Sequence, residues 1–224
     1  SISNSYVSGT TITVTSKSNA NVGGLVGYSY SGSISNSYVS ETTITVTSES
    51  NANVGGLVGE SYSSSITNSY VENSTLTVTT DLNSRVGGLV GSSASKITNS
   101  YVENTTLTVT TDLNIVGGLV GYSSSSEITN SYVENTILTV TTGLNAGVGG
   151  LVGTSPYSEI TNSYVSFDTT IEVKNEIVEI TDQIIYLEDL NSKEFYIDVL
   201  KWDENIWNLY DLDYENNLRP KLKK

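Results

Sequence analysis

The chain has 224 residues, a net charge of −14, and neither histidine nor cysteine. These two absences exclude disulfides, thiolate chemistry, Ser-His-Asp and Cys-His catalysis and the common soft-metal sites. The acidic charge has no basic patch to offset it, so we expect no nucleic-acid partner. We also expect no membrane insertion, because no apolar run approaches the ~20 residues that span a bilayer.

Composition divides the chain into two parts. Residues 1–164 carry 13 charged side chains, of which 10 are acidic, in a background rich in Ser, Thr, Asn, Gly and Val. The last 60 residues carry 21 charged side chains and hold both tryptophans, Trp202 and Trp207. We therefore predict a repeat region over residues 1–168 and a mixed C-terminal cap over residues 169–224, with its last strands and a short helix.

Three short blocks recur through the first part, with starts that lie 30 to 32 residues apart. The block I-x-N-S-Y-V starts at Ile2, Ile34, Ile66, Ile97, Ile128 and Ile160. The threonine block occupies residues 10–16, 42–48, 74–80, 105–111 and 136–142. The block V-G-G-L-V-G starts at Val22, Val54, Val86, Val116 and Val148. Self-similarity at a nearly fixed period is the signature of a repeat architecture.

Each block has the composition of a short β-strand, because it is rich in β-branched residues and is bounded by Ser, Asn or Gly. In the first threonine block, Ile12 and Val14 are predicted to face the core, and the threonines between them face solvent. No block shows the 3.6-residue apolar stripe of a helical repeat. Three strands per repeat predict a parallel β-solenoid (a β-helix) with one triangular coil per repeat, since stacked coils bury a continuous core.

Two other all-β architectures are less consistent with the pattern. Propeller blades run to ~40 residues or more with four strands each, which exceeds this repeat. The strands of a β-sandwich have individual positions, so nothing would make Asn, Tyr and Gly recur at equivalent places. The solenoid explains the recurrence directly.

The recurring polar and aromatic columns have predicted stacking roles. The asparagines would stack at a bend, where their amides bond one another or the turn backbone. They are Asn4, Asn36, Asn68, Asn99, Asn130 and Asn162. Gly23, Gly24 and Gly27 permit a tight corner or a close backbone approach. A column of tyrosines predicts an aromatic ladder, whose direction stays open because the bend resets the alternation: Tyr6, Tyr38, Tyr70, Tyr101, Tyr132 and Tyr164.

The threonine columns form the candidate ligand-binding surface. They predict a flat array of hydroxyls, about 4.8 Å apart between coils and about 6.7 Å apart along a strand, interrupted at Ile137. Its exposed ladder is Thr13, Thr45, Thr77, Thr108, Thr139, Thr15, Thr47, Thr79, Thr110 and Thr141. The array resembles the ice-binding face of solenoid antifreeze proteins. Threonine is also a favoured outward strand residue, which any repeat would copy.

Acidic side chains offer little chemistry in this sequence. Paired carboxylates could serve a glycoside hydrolase, but the repeat acids lie at turns and strand margins, where solvated charge is expected. These acids are Glu41, Glu49, Glu60, Glu72, Glu103 and Glu134. Near the C-terminus, Asp211, Asp213 and Glu215 alternate as calcium ligands do, without the Gly and distal Glu of an EF-hand. We predict no catalytic residue and no cofactor, with calcium near these three acids as the alternative to a solvated turn.

The C-terminal part is predicted to close the solenoid, because the last coil otherwise exposes an unpaired strand edge and an open core. Residues 169–180 predict one or two further strands. An apolar set further on is expected to plug the end, with a ligand-binding aromatic cleft as the alternative: Trp202, Ile206, Trp207, Leu209 and Leu212. Asn191 or Ser192 is predicted to cap a helix over residues 193–200, with Phe195 and Val199 on its packing face.

The V-G-G-L-V-G block followed by I-x-N-S-Y resembles the GLUG motif. That repeat occurs in bacterial surface adhesins and beside the catalytic domain of IgA-specific metalloproteases. Residues 194–209, E-F-Y-I-D-V-L-K-W-D-E-N-I-W-N-L, and 218–223, L-R-P-K-L-K, are similar to segments that close such arrays. The resemblance implies an extracellular bacterial solenoid, on the cell surface or secreted, without catalytic residues. The zinc-binding H-E-x-x-H of those proteases is absent.

These observations predict a non-catalytic structural or adhesive module of a cell-surface or secreted protein, acting as a stiff stalk or a binding surface. Its expected partner is a protein or glycan of a host or neighbouring cell. The first alternative is an accessory region of a secreted protease or glycan-active enzyme, and the second is ice binding by the threonines. Because Ser1 lies inside a repeat, we expect the chain to be truncated and continuous with upstream repeats.

Overall fold

The computed structural model describes residues 1–111, 113–141, 147–210, 212–213, 216 and 218–223. The chain winds into a parallel β-solenoid of about five coils with a spacing of ~32 residues, which confirms the predicted all-β fold. Equivalent residues of successive coils pair in register, as Ile2 with Ile34 and Tyr70 with Tyr101. None of the helices in the described residues is long and apolar enough to cross a membrane.

Four parallel sheets, rather than three, run along the solenoid. The serine sheet contains Ile2–Ser3, Val26–Tyr30, Ser33–Ser35, Val58–Thr67, Val90–Thr98, Val120–Ser123, Glu127–Thr129, Val152–Thr154 and Glu159–Thr161. The tyrosine sheet contains Tyr6–Ser8, Tyr38–Ser40, Tyr70–Glu72, Tyr101–Glu103, Tyr132–Glu134, Tyr164–Ser166 and Ile184–Ile185.

The other two sheets follow in chain order. The threonine sheet contains Thr11–Ser16, Thr43–Ser48, Thr75–Thr80, Thr106–Thr110, Ile137–Val140, Thr170–Val173 and the antiparallel Glu176–Ile177. The valine–glycine sheet contains Ala20–Gly23, Ala52–Gly55, Asn83–Gly87, Leu113–Gly117 and Gly147–Gly149. A separate antiparallel pair joins Trp207–Asn208 to Lys221–Leu222.

The prediction of three strands per coil was wrong because two of the blocks bend in the middle. Asn4 has a φ of 50°, which turns the chain between the serine and tyrosine sheets inside the block I-x-N-S-Y-V. Left-handed backbone suits asparagine, whose short polar side chain tolerates it. The block V-G-G-L-V-G bends at its paired glycines. A Cβ on Gly24 would lie 2.4 Å from the Gly56 carbonyl oxygen, so only glycine fits there.

The coil encloses two apolar cores. One core holds inward residues of the serine and tyrosine sheets, such as Ile66 and Val71, together with Leu57 from the glycine corner. The other core holds inward residues of the threonine and valine–glycine sheets, such as Val46 and Val54. Both cores are continuous along the stack because each coil repeats the same residue types, which is how a solenoid gains stability from its neighbours.

The C-terminal part closes the last coil with strands, as the sequence predicts for residues 169–180. Thr170–Val173 continues the threonine sheet and forms a hairpin with Glu176–Ile177. Ile180 packs against both cores, and Asp182 accepts a hydrogen bond from the Gly150 N–H at 3.0 Å. Ile184–Ile185 then continues the tyrosine sheet.

Two short helices follow, and the second, which the sequence predicts over residues 193–200, is helical over 193–199 but is wound as a π-helix in its main part. An α-helix spans Leu187–Leu190 and a π-helix spans Phe195–Val199. The Leu200 N–H bonds the Phe195 carbonyl at 3.0 Å, so residues five apart share the packing face. Leu200 is therefore buried, and the predicted packing residue Val199 is 38% exposed. Ser192 caps this turn, since its Oγ accepts a hydrogen bond from the Phe195 N–H at 3.2 Å.

Candidate functional site

The tyrosine ladder points outward from the solenoid. Its rings stack in parallel along the coil axis, with centroids 4.7 to 5.2 Å apart from Tyr6 to Tyr132. These side chains belong to neither internal core, and those from Tyr38 to Tyr164 form a third cluster with residues of the C-terminal part. Exposure falls along the ladder from 64% at Tyr6 to 3% at Tyr70 and 0% at Tyr101. One end of the ladder is thus open and the rest is covered.

The cover is the C-terminal segment, which here means the described residues 187–210, 212–213, 216 and 218–223. It runs back along the flank of the solenoid. Trp202 stacks at 5.9 Å from Tyr101 and 5.7 Å from Tyr132, and Trp207 lies 6.1 Å from Tyr70. The prediction that these tryptophans plug the solenoid's end was therefore wrong. The tryptophans pack against the row of ring edges that the tyrosine ladder presents. The C-terminal end of the solenoid is already closed by the hairpin and Ile180.

Directional hydrogen bonds fix the register of the segment on the ladder. The Trp202 Nε1–H donates to the Asn130 carbonyl oxygen at 2.9 Å. The Tyr101 hydroxyl donates to the Pro220 carbonyl oxygen at 2.7 Å. Each of these two bonds satisfies a polar atom that burial would otherwise leave unpaired at a cost in free energy.

A column of glutamates lies beside the covered tyrosines. Glu72, Glu103 and Glu134 are paired in register on neighbouring strands and are 9%, 0% and 1% exposed. The prediction that these three are solvated surface acids was wrong, because the segment covers them. Of the other repeat acids, Glu41 and Glu49 are exposed. Glu60 is half-buried, and its Oε2 accepts hydrogen bonds from Asn21 and Asn53.

Two cations of the segment compensate the buried carboxylates. Arg219, itself 5% exposed, forms an ion pair with Glu134. Lys221 forms an ion pair with Glu72, and its Nζ lies 3.8 Å from Glu103 Oε2. Burial raises the pKa of Glu103 to about 8, although Lys221 opposes the shift. Burial likewise raises the pKa of Glu134, against the hydrogen bond and charge of Arg219.

Glutamate occupies this column only in the repeats that the C-terminal segment covers. Equivalent positions in the other repeats hold serine: Ser8, Ser40 and Ser166. Glutamate therefore appears in the repeats that receive the basic segment and not in those at the open end. This departure from the repeat, matched to the L-R-P-K-L-K of residues 218–223, is the sequence signal that could have located the contact.

The threonine columns lie on the outer face of the threonine sheet. Thr45, Thr77 and Thr108 pair in register, and the same register holds along the outer columns. The predicted array is exposed at Thr13, Thr15, Thr47, Thr79 and Thr141 and half-buried at Thr45, Thr77, Thr108, Thr110 and Thr139. Two features interrupt it near the C-terminal end. Ile137 replaces a threonine, and the hydroxyls of Thr110 and Thr141 bond each other at 2.7 Å.

Asparagine ladders stiffen the bends. Asn68 Nδ2 donates to Asn36 Oδ1 at 3.2 Å, and the ladder continues through Asn99 and Asn130 to Asn162, as the sequence predicts. Further asparagines line a groove of about 510 Å³ outside the valine–glycine sheet: Asn19, Asn21, Asn51, Asn53, Asn83 and Asn114. Of the predicted calcium ligands, Asp211 and Glu215 lie outside the described residues. Asp213 accepts hydrogen bonds from Asn216 at 3.2 and 2.7 Å.

The sequence matches the family described as "The GLUG motif" over residues 18–45, 50–79, 83–110 and 112–138. These four stretches make up half of the chain. The chain belongs to the GLUG-motif family. The suspected GLUG resemblance is thus confirmed, and the GLUG repeats correspond to the coils of the solenoid.

Other comparisons add little to the GLUG assignment. No curated protein matches the sequence. Among solved structures, the GLUG chain resembles QnrB1, a plasmid-mediated fluoroquinolone resistance protein, at 8% sequence identity and a TM-score of 0.15. That alignment covers 77% of the GLUG chain and 90% of QnrB1. A similarity of this size carries no argument about fold or function.

Proposed function

We propose that this GLUG-repeat chain is a non-catalytic adhesive module of a bacterial cell-surface or secreted protein. The GLUG repeats and the solenoid fit a structural repeat module. The in-register stacking of every coil carries the proposal. Each inner strand bonds the coils on both sides, and side-chain ladders of Asn and Tyr lock the same register. Such a stack resists bending and presents flat faces of regular chemistry.

The chemistry of the acidic groups supports a non-catalytic role. The chain lacks histidine and cysteine. The three clustered carboxylates lie beneath the C-terminal segment, where Arg219 and Lys221 engage them. A general acid or base must reach substrate within hydrogen-bond distance. Here the protein's own chain fills the approach to Glu103 and Glu134, which are 0% and 1% exposed.

The surface favours neutral or weakly polar partners. The array of threonine hydroxyls offers uncharged donors and acceptors, and the asparagine groove adds side-chain amides beside one acid and one base, Glu60 and Arg85. The net charge of −14 disfavours polyanions. A protein or glycan on a host or neighbouring cell matches this chemistry.

Surface labelling and adhesion test the two parts of this proposal. An antibody against the chain is expected to label intact producing cells or to detect the parent protein in culture supernatant. Beads coated with the folded chain should bind host or neighbouring cells more than beads coated with heat-denatured chain. Labelling only after lysis would contradict the location, and equal bead binding would contradict adhesion.

A second candidate function rests on the threonine array, which is regular in two dimensions. Ordered hydroxyls at these spacings could hold water in an ice-like arrangement. An ice-recrystallisation assay at micromolar protein tests this, with Thr45→Lys and Thr77→Lys as the disrupted surface. Lack of inhibition by the parent chain would remove the candidate.

A further inference from the structure

We propose that the open end of the tyrosine ladder is a docking groove for an extended peptide of a partner protein that bears a tryptophan or similar aromatic side chain. The inference rests on the adhesive function proposed above and deepens it, because it names one surface and one class of partner. Three observations carry it: the shape of the groove, the intramolecular precedent and the unused hydrogen-bonding groups.

The groove has a volume of about 570 Å³, within the range of pockets that bind small ligands or single side chains. Tyr6 and Tyr38 belong to its ladder side, and Ile206 and Leu222 of the C-terminal segment line it as well. Its polar lining includes Asn4, Asn36, Ser40, Glu72, Asn205, Lys221 and Lys223. Apolar and polar groups thus line the same groove, at the edge of the C-terminal segment.

The C-terminal segment shows what this ladder binds. In the covered part, indole rings pack on the tyrosines, with Trp207 5.8 Å from Tyr101 and Trp202 5.7 Å from Tyr132. A phenol hydroxyl there donates to a backbone carbonyl. Tyr38 and Tyr6 continue the same column in the same register, with centroids 5.2 Å apart. The open end therefore repeats a surface that already holds a tryptophan-bearing peptide.

Hydrogen-bonding groups at the open end are unused. Within the described residues, the hydroxyls of Tyr6 and Tyr38 make no hydrogen bond, unlike that of Tyr101. In the same part of the chain, the side-chain Oδ1 of Asn36 accepts from Asn68 at 3.2 Å but its Nδ2 donates to no partner, and the side-chain amide of Asn4 makes no bond. An extended peptide offers carbonyl oxygens to these donors at strand spacing.

Ring orientation and charge decide between classes of partner. Tyr6 and Tyr38 stack with planes 8° apart, so the ring of Tyr38 presents its edge to the groove and its faces to its neighbours. A sugar stacks on an open ring face, which Tyr38 lacks, whereas an indole packs against ring edges, as Trp207 does at 46° to Tyr70. Serine replaces glutamate at Ser8 and Ser40, and Lys221 already pairs with Glu72 in the lining, so the ligand needs no cation. These features favour a neutral aromatic peptide over a glycan.

NMR titration of the full chain tests the inference. The probe is the blocked peptide acetyl-Ser-Trp-Ser-amide, with acetyl-Ser-Ala-Ser-amide as the matched control and cellotriose as the glycan arm. We expect the tryptophan peptide to shift the ring signals of Tyr6 and Tyr38 with a dissociation constant of about 1 mM, and at least about tenfold weaker binding of the alanine peptide. Absence of a saturable shift, equal shifts with alanine, or stronger shifts with cellotriose would overturn it.

A matched pair of tyrosines separates this groove from exposed aromatics in general. Tyr6 and Tyr30 are 64% and 65% exposed, and each stacks on one tyrosine, at 5.2 and 5.7 Å. Tyr6→Ala should weaken the tryptophan peptide about fivefold, and Tyr30→Ala should leave it unchanged. Equal losses of affinity in the two variants would overturn the assignment of peptide binding to this groove. If cell adhesion of beads persists while the parent chain does not bind the peptide, only the docking inference fails and the adhesive proposal stands.

Discussion

The tyrosine flank and the threonine face are built by the same repetition but have different fates. Both are in-register columns on the outer side of the solenoid. On the tyrosine flank, the C-terminal segment buries the rings from Tyr70 to Tyr132 and brings two cations to three carboxylates. On the threonine face, the hydroxyls stay exposed or half-buried. The comparison teaches that departures from the repeat, more than the repeat itself, show where the molecule makes specific contacts.

The largest expected effect comes from removing an anchor of the covered flank. Trp207→Ala should destabilise the segment by about 3–5 kcal/mol, because it deletes a fully buried indole that packs on Tyr70 and Tyr101. Fluorescence of Trp202 in urea should show the segment unfolding before the coils, which far-UV circular dichroism follows. Phe167→Ala, at a half-exposed aromatic, is the control. If both signals of Trp207→Ala followed one transition at the urea concentration of the parent protein, the C-terminal segment and the coils would not differ in stability as expected.

Removing a cation should have a slightly smaller effect. Arg219→Gln leaves the buried Glu134 carboxylate without its partner, which should cost about 3 kcal/mol in chemical denaturation at neutral pH. Adding Glu134→Gln should recover a large part of this loss, since no charge then remains uncompensated. Additive losses in the double variant would show that the ion pair does not hold the segment to the flank.

Glu103→Gln tests the electrostatics of the column and should be stabilising. The folded-state pKa of Glu103, about 8, lies above its usual 4.5, because burial and the neighbouring Glu134 and Glu72 outweigh Lys221 and Arg219. The parent protein therefore loses stability as pH rises from 4.5 to about 8, the range in which only the unfolded chain ionises.

The glutamine variant lacks this loss. Its free energy of unfolding should equal that of the parent near pH 4.5 and exceed it by about 1–2 kcal/mol near pH 8. Urea denaturation across this pH range measures the difference. Glu49→Gln, at an exposed acid of the repeat, should show no such trend, and a parallel trend would contradict the assignment to burial.

The smallest effect is expected from a substitution on the threonine face. Thr79→Ala should change the free energy of unfolding by less than about 0.5 kcal/mol, because the side chain is exposed. Leu76→Ala on the same strand, facing the core, should cost about 2–5 kcal/mol. Thermal denaturation of the pair measures the contrast. A large loss at Thr79 would show that the threonine face is itself covered or structurally coupled.

The local residue pattern predicted much of the fold. The alternation of Ile12 and Val14 with threonines predicts which side of that strand is buried, and the Asn and Gly columns locate the bends. The same pattern did not predict the number of sheets per coil, because the bend at Asn4 lies inside a block that has the composition of one strand. It also misplaced Val199, because a π-turn shifts the packing position by one residue.

The sequence by itself determined the parallel solenoid, its period and its ladders, because each of these depends on residues that recur at equivalent positions and stack on their own copies. Only the tertiary structure decided that the tyrosines point outward and that the segment lies along the flank. It also decided that Glu72, Glu103 and Glu134 are buried. Those features depend on contacts between residues up to 149 positions apart, as between Glu72 and Lys221, and no local periodicity encodes such a pairing.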